Sequence, residues 1–207
     1  MKKRNMNLTV ATIALALTLS GCGSSGDNNV PTPITPPVVE EPTIPTVEYV
    51  PFDAPILDEG TKHEYLTAIN NVRATGRYCG ATFYPAVAPL VWNDSLYKAS
   101  YEHSEDLIMS GTFSHDGSGT NSDWTAQVLE LGRGSNMQER GANNGYTDGY
   151  IGENIYWLEG RDNTLEVAMN GWLESEGHCE NMMRAEHTDF GMANIENMWT
   201  EILAYKY

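Results

Sequence analysis

Trp172-Leu173-Glu174-Ser175-Glu176-Gly177-His178-Cys179-Glu180-Asn181-Met182-Met183 is the stretch on which the reading of the fold turns. Its first residues complete an apolar stripe, Leu165, Ala168, Met169, Trp172 and Leu173, that predicts a helix from about Thr164 to Ser175. A polar island carrying His178 and Cys179 follows at once. Two further islands lie upstream: Phe113-Ser114-His115-Asp116-Gly117 and Gly152-Glu153-Asn154-Ile155. Each carries a titratable side chain, His115 in the first and Glu153 in the second.

Outward from these islands, Thr61-Lys62-His63-Glu64 reads as a capping box opening a helix. Its Leu66, Ile69 and Val72 share one face before Gly76. Asn93-Asp94 caps a second helix with Leu96, Ser100, His103 and Leu107 on one stripe, closed by Gly111. Strands are expected over 151–158, 190–195 and 199–205, the last two joined by a turn at Glu196-Asn197. The intervening 116–150 is rich in Gly, Asn, Asp and Ser and reads as one long loop. Asp116, Asp123 and Asp148 lack the spacing of an EF-hand and read as solvated loop residues. His103 reads as partly buried packing, His63 as a first-turn residue and His187 as a loop residue. Arg73 and Trp172 read as packing or buried hydrogen-bonding residues.

The chain has 207 residues and a formal net charge of -16, with 41% hydrophobic residues, five Trp and eleven Tyr. That is enough apolar material for one core and too few residues for a large multidomain enzyme. So negative a surface repels polyanions, so no nucleic-acid partner is expected. The sequence has no His-Glu-x-x-His, Gly-x-Ser-x-Gly, phosphate-binding glycine loop or Cys-x-x-Cys, which removes the common hydrolase and nucleotide readings.

At the start, Lys2, Lys3 and Arg4 precede an uncharged run from Leu8 to Leu19. That run is too short to span ~30 Å of hydrocarbon as a helix. It ends in Leu19-Ser20-Gly21-Cys22, which resembles a bacterial lipoprotein signal. The resemblance implies cleavage of residues 1–21 and lipid on Cys22, hence a membrane anchor and a cell-envelope location, at the outer membrane or on the periplasmic or extracellular face. Residues 22–55 hold eight of the ten prolines and read as a spacer. The folded domain is expected over 56–207. With Cys22 assigned to lipid, Cys79 and Cys179 remain and are expected to pair as a disulfide, the alternative being Cys179 as a nucleophile beside His178.

The islands fall in an ordered series: Ala68-Ile69-Asn70-x-x-Arg73, Pro89-Leu90-Val91-Trp92-Asn93-x-x-Leu96, Ser114-His115, Gly152-Glu153-Asn154-Ile155, Trp172-x-x-Ser175-x-Gly177-His178, then Gly191 and Trp199. The series resembles the CAP or SCP superfamily of cysteine-rich secretory, antigen 5 and pathogenesis-related proteins, in its bacterial branch. The resemblance implies an α+β fold, a three-layer α-β-α sandwich with a central antiparallel sheet. It also implies a cleft lined by His115, Glu153, Asn154, Ser175 and His178. Where the family usually carries a second Glu, this chain has Ser175, flanked by Glu174 and Glu176.

His115 and His178, with Glu153 nearby, could hold a divalent cation such as Zn2+. Family members are described as binders of sterols and other lipids, as metal-binding proteins and in some cases as peptidases. The leading expectation is therefore a binding module whose His/Glu cleft holds a divalent metal and which takes a small lipid or an envelope protein. A second is a metal-dependent extracytoplasmic peptidase or cell-wall hydrolase, with Glu153 as general base and His115 and His178 as its catalytic partners. A third is an interaction module with a vestigial cleft, acting through the 116–150 loop.

Overall fold

The computed structural model describes residues 47–157, 160 and 163–207. The expected signal segment 1–21, lipidated Cys22 and most of the spacer lie outside the described residues.

Three long strands carry the sheet: β4 (Gly149–Trp157), β5 (Asp189–Ile195) and β6 (Met198–Lys206). β6 is central, antiparallel to both β4 and β5, and β5 turns into β6 through Glu196 at φ 50. The two-residue β3 (Val91–Trp92) adds parallel to β5, giving the order β3-β5-β6-β4. The expected antiparallel sheet is thus antiparallel along its three long strands and mixed only at this short edge. A separate hairpin joins β1 (Arg77–Cys79) to β2 (Thr82–Tyr84).

Alternation along the strands creates the three layers, because successive side chains point to opposite faces. Phe190, Met192, Trp199 and Leu203 face α1 (Glu59–Arg73), α5 (Leu165–Glu174) and α6 (Glu176–Met183) and form the larger core with Ile69, Trp172 and Met182. Ile151, Ile202 and Ala204 point the other way, onto Leu96 and Ala99 of α2 (Asp94–Ser110). The result is the α-β-α sandwich.

Gly191 sets how closely α2 approaches. A Cβ there would lie 2.3 Å from the Tyr97 nitrogen and 2.4 Å from the Leu96 carbonyl carbon. With hydrogen in that place, Ser100 Oγ donates to the Gly191 carbonyl at 3.2 Å.

Helix ends follow side-chain chemistry. Asn93 caps α2 through Ser95 and Leu96, and Gly111 closes it in the left-handed region at φ 68. Thr164 caps α5. The first helix departs from expectation: Asp58, not Thr61, is its cap, accepting from the Thr61 nitrogen at 3.0 Å and from Thr61 Oγ1 at 2.7 Å. The Thr61 hydroxyl donates to the Asp58 carboxylate, a stronger acceptor, and the helix begins three residues earlier than the Thr61 box would place it.

The 116–150 region is also more ordered than one loop. It contains α3 (Trp124–Val128) and α4 (Met137–Asn143). Buried carboxylates from neighbouring elements organise it. Asp106 accepts from the Ser118 nitrogen, Ser118 Oγ and Ser122 Oγ, and Glu102 accepts from the Thr125 nitrogen and Asn144 Nδ2. Asp123, read as solvated, is buried and accepts from Ser135, Gly119 and Ala126.

Residues 50–55, expected as the last part of the spacer, lie on the domain. The Val50 and Phe52 N–H groups donate to the side chains of Asn143 and Asn144, Trp124 Nε1 donates to the Val50 carbonyl, and Tyr97 donates to Pro55. Phe52 packs between Tyr101 and Trp124. The prolines leave enough intervening N–H groups for residues 50–55 to dock on the domain.

Cys79 and Cys179 form a disulfide with Cα atoms 5.5 Å apart, tying the β1–β2 hairpin to α6. Cys179 is therefore no nucleophile. No helix among the described residues is long and apolar enough to cross a membrane.

Candidate functional site

Glu153 is the hub. As an odd-numbered residue of β4 it shares the α2 face with Ile151 and Ile155, and its side chain is fully buried. Oε2 accepts from Arg140 Nη2 at 2.7 Å, and Oε1 accepts from His115 Nδ1 at 3.0 Å. His103 Nε2 lies 3.5 Å from the same Oε1 and donates to the Ser114 carbonyl at 3.0 Å. The second guanidinium contact of Arg140 Nη2, to the His115 carbonyl at 2.9 Å, fixes the backbone that carries the imidazole.

Sequence reading placed His103 in packing and did not reach Arg140. His103 is fully buried and sits against the Glu153 carboxylate. The available signal for Arg140 was Asn136-Met137-Gln138-Glu139, a capping box that is fully formed here and starts α4 just before that arginine.

His178 approaches from the opposite layer. Ser175 is the junction at which α5 ends and α6 begins, so the chain bends there and brings His178 to the cleft on the first turn of α6. Asn154, pointing to the α6 face, donates through Nδ2 to the His178 carbonyl at 3.2 Å and to Glu201 Oε1 at 2.7 Å. Asn181 Nδ2 donates to Asn154 Oδ1 at 3.0 Å, and Asn181 Oδ1 meets His187 Nε2 at 3.1 Å. Gly152 is required by this network, since a Cβ there would lie 2.2 Å from Asn181 Oδ1. The loop residue His187 is accordingly a buried anchor, stacked on Tyr150.

The two cleft imidazoles thus arrive from opposite sides of the sheet, with ring centroids 6.5 Å apart. His115, His178, Glu153, Asn154 and Ser175 all line one cleft of 490 Å³. Beyond Ser175 and His178 it runs into a more apolar trough of 510 Å³ between Phe113, Trp157 and Gly171.

Charge is arranged asymmetrically. Burial opposes ionisation of Glu153, but His103, Arg140 and the hydrogen bond from His115 outweigh it and hold the carboxyl well below its usual range. The Glu153 hydrogen bond raises His115, whereas burial and the nearby His115 lower His178. Burial lowers His103 to about 4, and burial raises Glu201 to about 8.

As a zinc site the donor set falls short. A protein-held zinc needs three or four ligands. His115 and His178 supply two, and both Glu153 oxygens already accept hydrogen bonds, from His115 and from the Arg140 cation. No group of three His, Cys, Asp or Glu suited to a metal occurs among the described residues.

A model of the cysteine-rich secretory protein family, CAP, matches residues 66–197. Among solved structures, an extracellular protein containing an SCP domain from Bacillus anthracis aligns with TM-score 0.51 and 18% identity, over 74% of this chain and 45% of that one. The chain therefore spans less than half the length of that protein. An outer surface protein from Borrelia burgdorferi aligns with TM-score 0.52 and 16% identity, over 73% of this chain and 97% of that one. Comparison with curated proteins gives no match.

Proposed function

The chain belongs to the cysteine-rich secretory protein family, CAP, and on that premise we propose that it is an exported binding module of the cell envelope. Its ligand is taken in the cleft between His115 and His178. One observation carries this reading: both oxygens of Glu153 are committed, to Arg140 and to His115.

A carboxylate so engaged, with its proton affinity pushed down, positions an imidazole and is a poor general base. This weighs against the hydrolase alternative, in which Glu153 would activate water. Cys179 lies in the disulfide. Among the described residues no hydroxyl in the cleft is hydrogen-bonded to a histidine. The pair of imidazoles suits recognition, one ring biased toward the cation and one toward the neutral form. Together they can donate to and accept from a small polar group.

The basic start of the chain, its apolar run and Cys22 support export and lipid anchoring, with residues 50–55 docked at the domain's end of the spacer. The extracellular and outer-surface descriptions of the two structural neighbours are in keeping with that location.

The test is co-purification of low-mass envelope solutes with the full chain, read by mass spectrometry, beside His115→Ala and His178→Ala. Each variant is expected to lose at least tenfold of the retained solute. Equal retention in all three proteins would overturn the reading.

A further inference from the structure

β4 is an edge strand, since the sheet order ends on it. Two hydrogen bonds fix which of its residues face outward. The Tyr207 nitrogen donates to the Asp148 carbonyl, so even-numbered residues of this segment bond to β6. The Ile151 carbonyl accepts from Gln138 Nε2 at 3.0 Å, so odd-numbered residues direct their main-chain groups away from β6.

Gln138 caps the free edge at Ile151. Beyond it, the outward N–H and C=O groups of Glu153, Ile155 and Trp157 have no partner among the described residues. Glu153 shows where they open: its side chain is 0% exposed while the residue is 6% exposed, so all of its accessible surface is main chain.

The cleft and the trough are two stretches of one channel laid along this edge. Glu153 and Asn154 lie in the floor of the first, Ile155 to Trp157 in the floor of the second, and both share Ser175 and His178 on one wall. At Glu153 the two imidazoles, ring centroids 6.5 Å apart, line the channel. Along Ile155 and Trp157 it runs between Phe113 and Trp157, about half exposed with ring centroids 6.4 Å apart, on one side and Gly171 on the other, and Ile155, itself only 4% exposed, lines it.

An open edge of unpaired amides has one complementary occupant chemistry, another extended backbone. A lipid tail would leave those groups unsatisfied in an apolar environment, which is unfavourable. We propose that an extended peptide adds as a further strand to the edge of β4 at Ile155 and Trp157, seating an apolar side chain on Phe113 and Trp157. The imidazole pair bounds the bound chain at its Glu153 end. This deepens the reading of the cleft as a binding site and rests on it.

The test uses the full chain and a pool of capped hexapeptides of degenerate sequence, beside the same pool N-methylated at every residue. Amide hydrogen exchange is read by NMR together with the imidazole signals. The unmethylated pool is expected to slow exchange at Ile155 and Trp157 at least tenfold, with Tyr156, already bonded to β6, unchanged, and the methylated pool to have no effect. Unchanged exchange at Ile155 and Trp157 overturns strand addition. If the His115 and His178 signals still shift in that case, the cleft binds in another way and the proposed function survives. Protection at the edge without any change at either imidazole supports strand addition and overturns the His-centred binding site.

Discussion

Glu153 and Arg140 are worth more together than either is alone. Removing one partner of a buried charged pair leaves the other uncompensated, at a cost of about 3–5 kcal/mol. Glu153→Gln is expected to lower stability by that order in denaturant unfolding, and to return the His115 titration toward or below its ordinary value of about 6.5. The pH dependence has two signs. Glu153 is depressed, so its stabilisation is present above its unfolded value and lost as pH falls through the lower folded one. His115 is raised, so its contribution is present below about 6.5 and lost as pH rises through its folded value. Glu201 runs the other way from Glu153. Buried and pushed up to about 8, it stays protonated where the unfolded chain has already ionised, so stability declines as pH rises from about 4.5 toward 8. Glu201→Gln should flatten that decline, by up to about 1.4 kcal/mol per pH unit; an unchanged slope would show that Glu201 ionises freely in the fold.

At the level of elements, α2 packs backbone to backbone on β5 over Gly191. A methyl group at that position meets backbone of Leu96 and Tyr97, which cannot rotate away. Gly191→Ala is therefore expected to cost at least the ~1–3 kcal/mol of ordinary overpacking, read as a lowered denaturation midpoint. The elements legible in the sequence were those with length and a chemical boundary. α2 lies between Asn93 and Gly111, Thr164 caps α5, and β4, β5 and β6 run for seven to nine residues. α3, of five residues, and β3, of two, are too short for any period to register. α4 was hidden by glycine and asparagine composition, although Asn136 and Glu139 marked its start. In the first turn of α1 two signals competed, and the carboxylate of Asp58 prevailed over the hydroxyl of Thr61 as the cap.

For the whole molecule, the ordered series of motifs carried the family and the sandwich, and three of its islands, at His115, at Glu153 and at Ser175 to His178, line the cleft. The cleft's outer residues His115, Glu153 and His178 were visible because they stand in those islands. Its inner support was not. Arg140, His103, Glu201 and Asn181 act through contacts that cross 13 to 50 residues of sequence, and no local pattern reports such contacts. Nor does hydrophobic alternation reveal which edge of a sheet is left open; that follows only from the strand order. In the proposed module the cleft is the working face, and the rest of the domain holds its two imidazoles apart on either side of one strand edge. The chain has five histidines, so each imidazole can be followed separately. The most direct measurement is imidazole NMR of the full chain during titration with the low-mass solutes of a cell-envelope extract. The prediction is that His115 and His178 shift together while exposed His63 and buried His103 and His187 stay fixed; solute retention with His115 and His178 unmoved would contradict it and place the binding face elsewhere on the domain.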